Sequence, residues 1–397
     1  MTDASTSGPL AGLPLLEDLP PVEGLQVLLR VDYNVPLGPP AVAGGLACVE
    51  DDFRIRASLP TIEWLTSRGA SVTACTHLGR PKGRPDPRYD LAPLRACLAT
   101  VAPGVALLDN LRFDPGEEAN DPAFVDGLVD GFDAYVNDAF GVSHRRHASV
   151  VGPPSRLPSA AGRLLQQEVE VLDRLLTDPA RPFVAIVGGA KVADKLGVLD
   201  SLLQLVDRLV VGGGMAFTFL AAAGHRIGDS LLDPDHLGDC RRLLETAGDR
   251  LVLPTDVVSL GPGGTIGHGH PGTGPVETFG TDLEKGWQGL DIGPDTAAAY
   301  AAIVARAATV FWNGPMGVFE DSRFAAGTTA VADAISTAPG YSVVGGGDSA
   351  AAIDQLGLAG SIDFVSTGGG AALELLEFRD LPGLQALRQA VNAPVAG

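Results

Sequence analysis

Lysine is almost missing from this 397-residue chain: it occurs only at Lys82, Lys191, Lys195 and Lys285, and arginine carries the remaining positive charge. A GC-rich genome or adaptation to salt would each produce that bias. Positive charge as a whole is scarce, with a formal net charge of −20, which argues against nucleic acid or anionic membrane as a general partner. An anionic substrate therefore needs a local basic patch. Cysteine is rare too, and Cys48, Cys75, Cys97 and Cys240 show no C-x-x-C spacing, the pattern of reduced thiols in a cytoplasmic protein. The seven histidines have no zinc-ligand spacing. The N-terminus lacks the basic start and apolar run of a signal peptide. The longest suspicious uncharged stretch, Leu209 to Gly224, is shorter than a membrane span and holds three successive glycines, so it reads as a strand, a turn and a buried helix start. A Walker A sequence and the protein-kinase motif set are both absent. The one formal G-x-G-x-x-G, at Gly267, Gly269 and Gly272, contains Pro271 and is followed by no helix, so it is not read as a dinucleotide fingerprint.

Hydrophobic residues, at 45%, supply ample core, and the length points to two domains. Four short β-branched runs end in glycine clusters and are expected to turn helical: FVAIVGGAKVADK, RLVVGGGMAFTFL, YSVVGGGDSAAAI and FVSTGGGAALELL. Such junctions allow close backbone approach and aim helix N-terminal N–H groups at an anion. Four together suggest a parallel sheet whose strand ends converge on a phosphate-bearing ligand. The first half alternates similarly. QVLLRVDYNVPL, ASVTACTHLGRP, GVALLDNLRF and AYVNDAFGV read as strands, and DDFRIRASLPTIEWLTSRGA as one helix with Ile55, Leu59, Ile62 and Leu65 on one face. Leu164, Leu165, Val169, Leu172 and Leu176 mark an amphipathic helix between Pro158 and Pro179, where the domain boundary is placed. Residues 261–274 read as a surface loop.

Lys191 and Lys195 lie four apart just after the first glycine junction, which would put both ammonium groups on one face of the new helix, beside free N–H groups. That suits a polyphosphate; two solvated surface lysines are the plainer alternative. Asp348 follows Gly345, Gly346 and Gly347, where it could cap a helix, bind magnesium beside nucleotide phosphates, or do both. Arg54, His77, Arg80, Arg112, His144 and Arg145 all fall at strand ends or helix starts. Each arginine alone could be a surface ion-pair partner, but several converging on one pocket would suit a small phosphorylated acid.

These residues lie in a series of segments: RVDYNVP (30 to 36), HLGRPKG (77 to 83), DNLRF (109 to 113), HRRHAS (144 to 149), GGAKVADK (188 to 195), GGGMAFTFL (212 to 220), GLDIGP (289 to 294), WNGPMGVFE (312 to 320), GGGDSA (345 to 350), STGGGAALELL (366 to 376) and LPGLQAL (381 to 387). In this order, and over nearly the whole chain, they resemble the phosphoglycerate kinase family. The resemblance implies an α/β fold of two Rossmann-like domains, with parallel sheets facing a central cleft and an interdomain helix joining them. The implied domains are 1–163, binding 3-phosphoglycerate and carrying the returning tail 378–397, and 164–377, binding nucleotide. It further implies reversible phosphoryl transfer between ATP and 3-phosphoglycerate, giving ADP and 1,3-bisphosphoglycerate, with Mg2+ as cofactor, in a cytoplasmic monomer with no nucleic-acid or membrane partner.

Carried over by position, Asp32, Asn34, Arg54, His77, Arg80, Arg112 and Arg145 would hold the glycerate and its phosphate. Gly189, Ala190, Lys195, Gly213, Gly289, Asn313, Pro315, Glu320, Gly347, Asp348 and Ser349 would surround the nucleotide, Glu320 at the ribose and Asp348 at the metal. A substrate carboxylate is already a nucleophile at neutral pH, so catalysis reduces to alignment and charge neutralisation. Arg54, Lys191 and the N–H groups of Gly368, Gly369 and Gly370 are the groups expected to supply it. Asp109 stands where the family usually has Glu, Arg146 where a small residue is usual, and Ser349 where Thr is frequent. A different acyl-phosphate kinase and a silent nucleotide-binding or scaffolding protein are the alternatives; the size of the arginine set argues against the first, and the presence of Lys191, Arg54 and Asp348 against the second. Glycolysis, gluconeogenesis and carbon fixation are all compatible with the residues.

Overall fold

A computed structural model of the chain describes residues 8–39, 47–267 and 270–391. The chain divides into two compact units, 1–174 with 378–397, and 175–377. The break falls inside the helix Arg163–Thr177, eleven residues beyond the helix start at which the sequence reading placed it. Leu165, Val169, Leu172 and Leu176 of that helix are buried, as its periodicity requires, and Leu164 is half-buried.

Among the described residues, the first unit is built on a five-stranded sheet. Its spatial order is Ala106–Leu107, Ser71–Cys75, Gln26–Arg30, Ala134–Asn137, Ser159–Ala161, and every pairing is parallel. The strand formed earliest in the chain sits in the middle. Strand order therefore reverses between Gln26–Arg30 and Ala134–Asn137, the geometry of a doubly wound fold with its switch point there. Val27, Leu29, Val72, Ala74 and Val136 form the core with Ile55, Ile62, Leu65 and Leu98.

Two readings of this half are corrected. The single helix expected over residues 51–70 is two, Phe53–Ala57 and Leu59–Thr66. Pro60 has no N–H to donate and its ring crowds the carbonyl four residues back, so the first helix stops and a second begins. Only Ala106–Leu107 of GVALLDNLRF pairs as a strand, and Leu111–Phe113 forms a 3-10 turn. The edge strand Ser159–Ala161 had no sequence signal, being three residues long and preceded by proline.

The second unit holds a six-stranded parallel sheet among the described residues. Its order is Leu251–Val252, Arg208–Val211, Phe183–Val187, Thr309–Asn313, Tyr341–Gly345, Phe364–Val365. Phe183–Val187 and Thr309–Asn313 are buried at every residue, which is why they read as continuous apolar runs rather than alternating ones. All four predicted glycine-junction strands lie in this sheet. Thr309–Asn313 is a fifth strand of the same kind that the sequence reading missed, since a single glycine and a proline follow it rather than a cluster and a helix. A separate antiparallel sheet, Val276–Gly280, Asp256–Leu260 and Gln288–Ile292, was also missed. Residues 261–274 connect its first two strands in sequence and are pinned by paired Thr265 and Thr273; Gly269 of the formal glycine motif lies outside the described residues.

Ile186 is fully buried at the centre of the second sheet. Ile186→Ala should lower stability by about 3 kcal/mol through lost burial and the cavity left behind. A shift of the urea midpoint followed by tryptophan fluorescence checks it, and an unchanged midpoint would contradict this packing.

Candidate active site

In the second unit the order of strands reverses between Phe183–Val187 and Thr309–Asn313, and their carboxyl ends open into a cavity of about 410 Å3. Gly188 and Gly189 follow the first strand, and Gly314 and Pro315 the second. The two turns touch: Gly189 N–H donates to Pro315 O at 3.0 Å, and a Cβ on Gly188 would lie 2.1 Å from the same oxygen. No side chain larger than hydrogen fits there. Gly213, with φ +67, packs behind these turns from the next strand, where a Cβ on it would lie 2.6 Å from Gly189 N.

Lys195 ties the two strand ends together. Its Nζ donates to Gly188 O and to Asn313 Oδ1, each at 2.7 Å, while Asn313 Nδ2 donates to Gly345 O at 2.9 Å on the neighbouring strand. Burial pushes the Lys195 ammonium down to about 8, against the opposing pull of Asp348 and Asp194. Lys191 is exposed on the cavity wall. The two lysines do not share a helix face: helix Leu196–Leu205 begins only after Lys195, with a 3-10 turn Ala193–Lys195 before it. Because Gly188 and Gly189 hold an irregular loop, Lys195 turns inward as a strut and Lys191 is left at the surface.

Two helices start on this cavity, Gly347–Gln355 and Gly369–Phe378. Their first N–H groups have no partners within the helix, a natural anion site. Asp348 does not cap the first of them; Gly346 holds the cap position, and Asp348 sits exposed in the first turn with its carboxylate on the wall. Ser349 Oγ accepts from Gly314 N–H at 2.6 Å.

The cavity thus gathers Gly189, Ala190, Lys191, Lys195, Asn313, Gly347, Asp348, Ser349, Gly369 and Gly370 of the expected residues. Gly213, Pro315, Gly289, Glu320 and Gly368 are off its wall. Gly213 and Pro315 brace the turns behind it, and Gly289 packs against the Phe217 ring. Glu320 is exposed, and the Gly368 N–H donates to Ser366 Oγ at 3.2 Å, which engages a group expected to face the phosphoryl. Among the described residues no three His, Cys, Asp or Glu side chains are clustered to hold a metal. Asp348 and Asp194 are the carboxylates on the wall, a donor set that fits Mg2+ carried in by nucleotide phosphates rather than caged by protein.

The first unit gathers positive charge at its own switch point. Beyond strand Gln26–Arg30, Asp32 Oδ2 accepts from Arg54 at 3.0 Å, and Arg54 also reaches Asn34 O at 3.3 Å. Asn34 Oδ1 accepts from Gly79 N–H at 2.9 Å. Arg112 is nearly buried and donates to Gly79 O at 2.7 Å; its Nε lies 3.2 Å from Glu118 but is not aligned for a hydrogen bond. Arg145 is half-buried against His144 Nε2 at 3.3 Å, leaving His144 Nδ1 buried without a partner. Arg80 and Arg146 are exposed.

Burial, then Arg30, Arg112, Arg145 and His147, hold His77 well below the usual imidazole range. His144 is pushed down to about 4 by burial and Arg145, and His147 to about 4 by burial and then by Arg112, Arg145 and Arg30. Cations that depress every neighbouring imidazole, beside buried N–H donors with no acceptor, form a site an anion would complete. Sequence reasoning did not single out Arg30, Glu117, His147 or Ser149. Arg30 and Ser149 lie at the ends of quoted segments, but no spacing marks them as neighbours.

A phosphoglycerate kinase family model matches residues 16–104 and 99–379. The phosphoglycerate kinase of Rubrobacter xylanophilus is 50% identical over 392 residues, covering 92% of this chain and 96% of its own. That of Frankia alni is 50% identical over 399 residues, covering 92% and 98%. The chain belongs to the phosphoglycerate kinase family. Among solved structures, the phosphoglycerate kinase of Coxiella burnetii superposes with a TM-score of 0.82 at 36% identity, covering 95% of this chain and 99% of that one. The phosphoglycerate kinase of Pyrococcus horikoshii OT3 gives 0.80 at 30% identity, covering 96% and 100%. The two-unit α/β architecture with parallel sheets is thus that of the phosphoglycerate kinase family.

The buried ammonium of Lys195 makes affinity at this cavity pH-dependent. ATP binding should weaken as pH rises past about 8, because the free site then loses the charge that attracts phosphate. Lys195→Met should bind more weakly and show a flatter profile by calorimetry. An identical slope in the variant would show that another group titrates.

Proposed function

We propose that the chain catalyses reversible phosphoryl transfer, ATP + 3-phosphoglycerate = ADP + 1,3-bisphosphoglycerate. The observation that carries this reading is that two clusters of different design lie at the two switch points: a glycine-walled cavity with two helix starts, and a group of arginines around histidines held below their usual range. The first suits the extended phosphates of a nucleotide, which need close backbone approach. The second suits a compact acid with a phosphate and a carboxylate, which planar guanidinium groups bind in bidentate fashion.

In this reading Asp32, Asn34, Arg54, His77, Arg80, Arg112 and Arg145 hold 3-phosphoglycerate in the domain 1–163, with the tail 378–397. The helix Pro382–Val391 supports that grouping, since Gly383 N–H donates to Ser143 O at 2.8 Å and Arg388 donates to Ala11 O at 3.0 Å. The domain 164–377 holds the nucleotide, with Gly189, Ala190, Lys195, Asn313, Gly347 and Ser349 on the phosphate side and Gly213, Gly289, Pro315 and Glu320 towards the base and ribose. Mg2+ arriving with the nucleotide would be held by Asp348 and would offset phosphate charge.

The substrate carboxylate attacks the terminal phosphorus in line and needs no general base. What the protein supplies is alignment and positive charge at the equatorial oxygens of the phosphoryl in transit. Arg54 comes from one unit, and Lys191 with the N–H groups of Gly369 and Gly370 from the other, the Gly368 N–H being engaged by Ser366. Transfer between ligands held by different units requires the units to close and expel water. The chain acts as a monomer in the cytoplasm, a reading that rests on the family resemblance and the reduced cysteines.

A coupled assay of ATP-dependent 3-phosphoglycerate use, with magnesium present, should detect turnover. Arg54→Ala and Lys191→Ala should both fold and lose kcat by about a hundred-fold or more. No turnover by the unaltered chain would overturn the reading; near-normal turnover in either variant would remove that residue from the transition state.

A further inference from the structure

Arg30 ends the central strand of the first unit and is fully buried, yet no motif reading gives it a task. A guanidinium at that depth is costly unless its N–H groups are engaged. Its Nε donates to Ser149 Oγ at 2.8 Å, one terminal nitrogen donates to Val31 O, and the other reaches His77 Nδ1 at 3.4 Å. Ser149 is itself held at two points by Glu117, which is also fully buried: Oε2 accepts the Ser149 N–H at 2.8 Å and Oε1 accepts its hydroxyl at 2.7 Å. With its proton committed to Glu117, the Ser149 hydroxyl can meet Arg30 only as an acceptor. The chain Glu117, Ser149, Arg30, His77 therefore has one direction of donation between the serine and each charged neighbour.

The last contact sets the state of the imidazole. A guanidinium has no lone pair to offer, so the nitrogen it meets must accept, and His77 Nδ1 carries no proton. Asp32 Oδ1 is 3.8 Å from the same nitrogen, too far for a hydrogen bond that would place a proton there. A neutral imidazole must then carry its proton on Nε2, an atom with no partner among the described residues.

We infer that Arg30 is a positioning residue: anchored by Ser149 and Glu117, it holds His77 as the neutral Nε2–H tautomer, a fixed uncharged donor for a carboxylate or phosphate oxygen of the acid substrate. The substrate half of this inference rests on the proposed function; the tautomer does not. The charged and titratable groups around His77 are Arg30, Arg112, Arg145, His147 and Asp32, and with burial their balance keeps the ring from charging. A neutral donor among arginines gives direction where further positive charge would only add repulsion. It also keeps its donor capacity unchanged across the range in which an ordinary histidine would titrate.

The test is nitrogen NMR of the full chain labelled at histidine, without ligand, with His77 assigned by its disappearance in His77→Asn. The expected spectrum has a bare Nδ1 and a protonated Nε2 from about pH 6 to 8. A protonated Nδ1 or an imidazolium in that range would overturn the inference. In Arg30→Met, His77 should titrate at higher pH and populate the Nδ1–H form, because Asp32 then faces that nitrogen alone. The KM for 3-phosphoglycerate should rise about ten-fold, with kcat changing less. Ser149→Ala retains both charges and should give an intermediate tautomer mixture, which decides the matter if Arg30→Met fails to fold. An unchanged His77 spectrum in whichever variant folds would reject the positioning role. The expected tautomer in a chain that does not use 3-phosphoglycerate would reject the proposed substrate and leave the Arg30 assignment standing.

Discussion

Where the order of strands in a parallel sheet reverses, the connections leaving two adjacent strands turn towards opposite faces, and neither can cover the gap between their carboxyl ends. That constraint is met once in each unit. In the second unit the gap lies between Val187 and Asn313 and is spanned by Lys195, which bonds backbone on one side and a side-chain amide on the other. In the first it lies between Arg30 and Asn137, where Asp138 N–H donates to Arg30 O at 2.8 Å and the Arg30 side chain is buried. Each gap thus has a cation drawn in beside it, Lys195 half-buried and Arg30 fully buried, while Lys191, Arg80, Arg54 and Arg145 keep access to solvent.

This division of labour concentrates the positive charge of an acidic chain at two places. Lys195 and Lys191 are four residues apart and take opposite roles: one is pulled into the sheet edge and loses part of its affinity for a proton, while the other stays in solvent. Among the arginines, Arg30 and Arg112 are buried while Arg54, Arg145 and Arg80 keep access to water. Burial first, and then Arg30, Arg112 and Arg145, depress His77 and His147, so local basicity is carried by guanidinium groups and not by histidine charge. The first unit thereby places guanidinium groups beside imidazoles held below their usual range.

Much of this was legible in residue order. The glycine clusters marked strand ends because only glycine tolerates the contacts found there, such as the one between Gly188 and Pro315. The uniform β-branched runs marked buried parallel strands because burial on both faces removes alternation. Short edge strands such as Ser159–Ala161 gave no periodic signal, and the antiparallel sheet around Asp256–Leu260 was hidden by the glycine-rich loop between its strands. Pro60 broke a helix whose apolar spacing continued straight through it.

Sequence alone determined the family, the alternation of strands and helices, and which residue types could bind phosphate, because these depend on side-chain chemistry and on local periodicity. Tertiary structure decided which of two nearby lysines is a strut and that Asp348 is no helix cap. It also decided that the Gly368 N–H is already engaged. It brought Glu117 to Ser149 and Ser149 to Arg30, across separations of 32 and 119 residues. Such choices turn on burial and on hydrogen-bond partners supplied by distant strands, and no pattern along the chain encodes the distance between them.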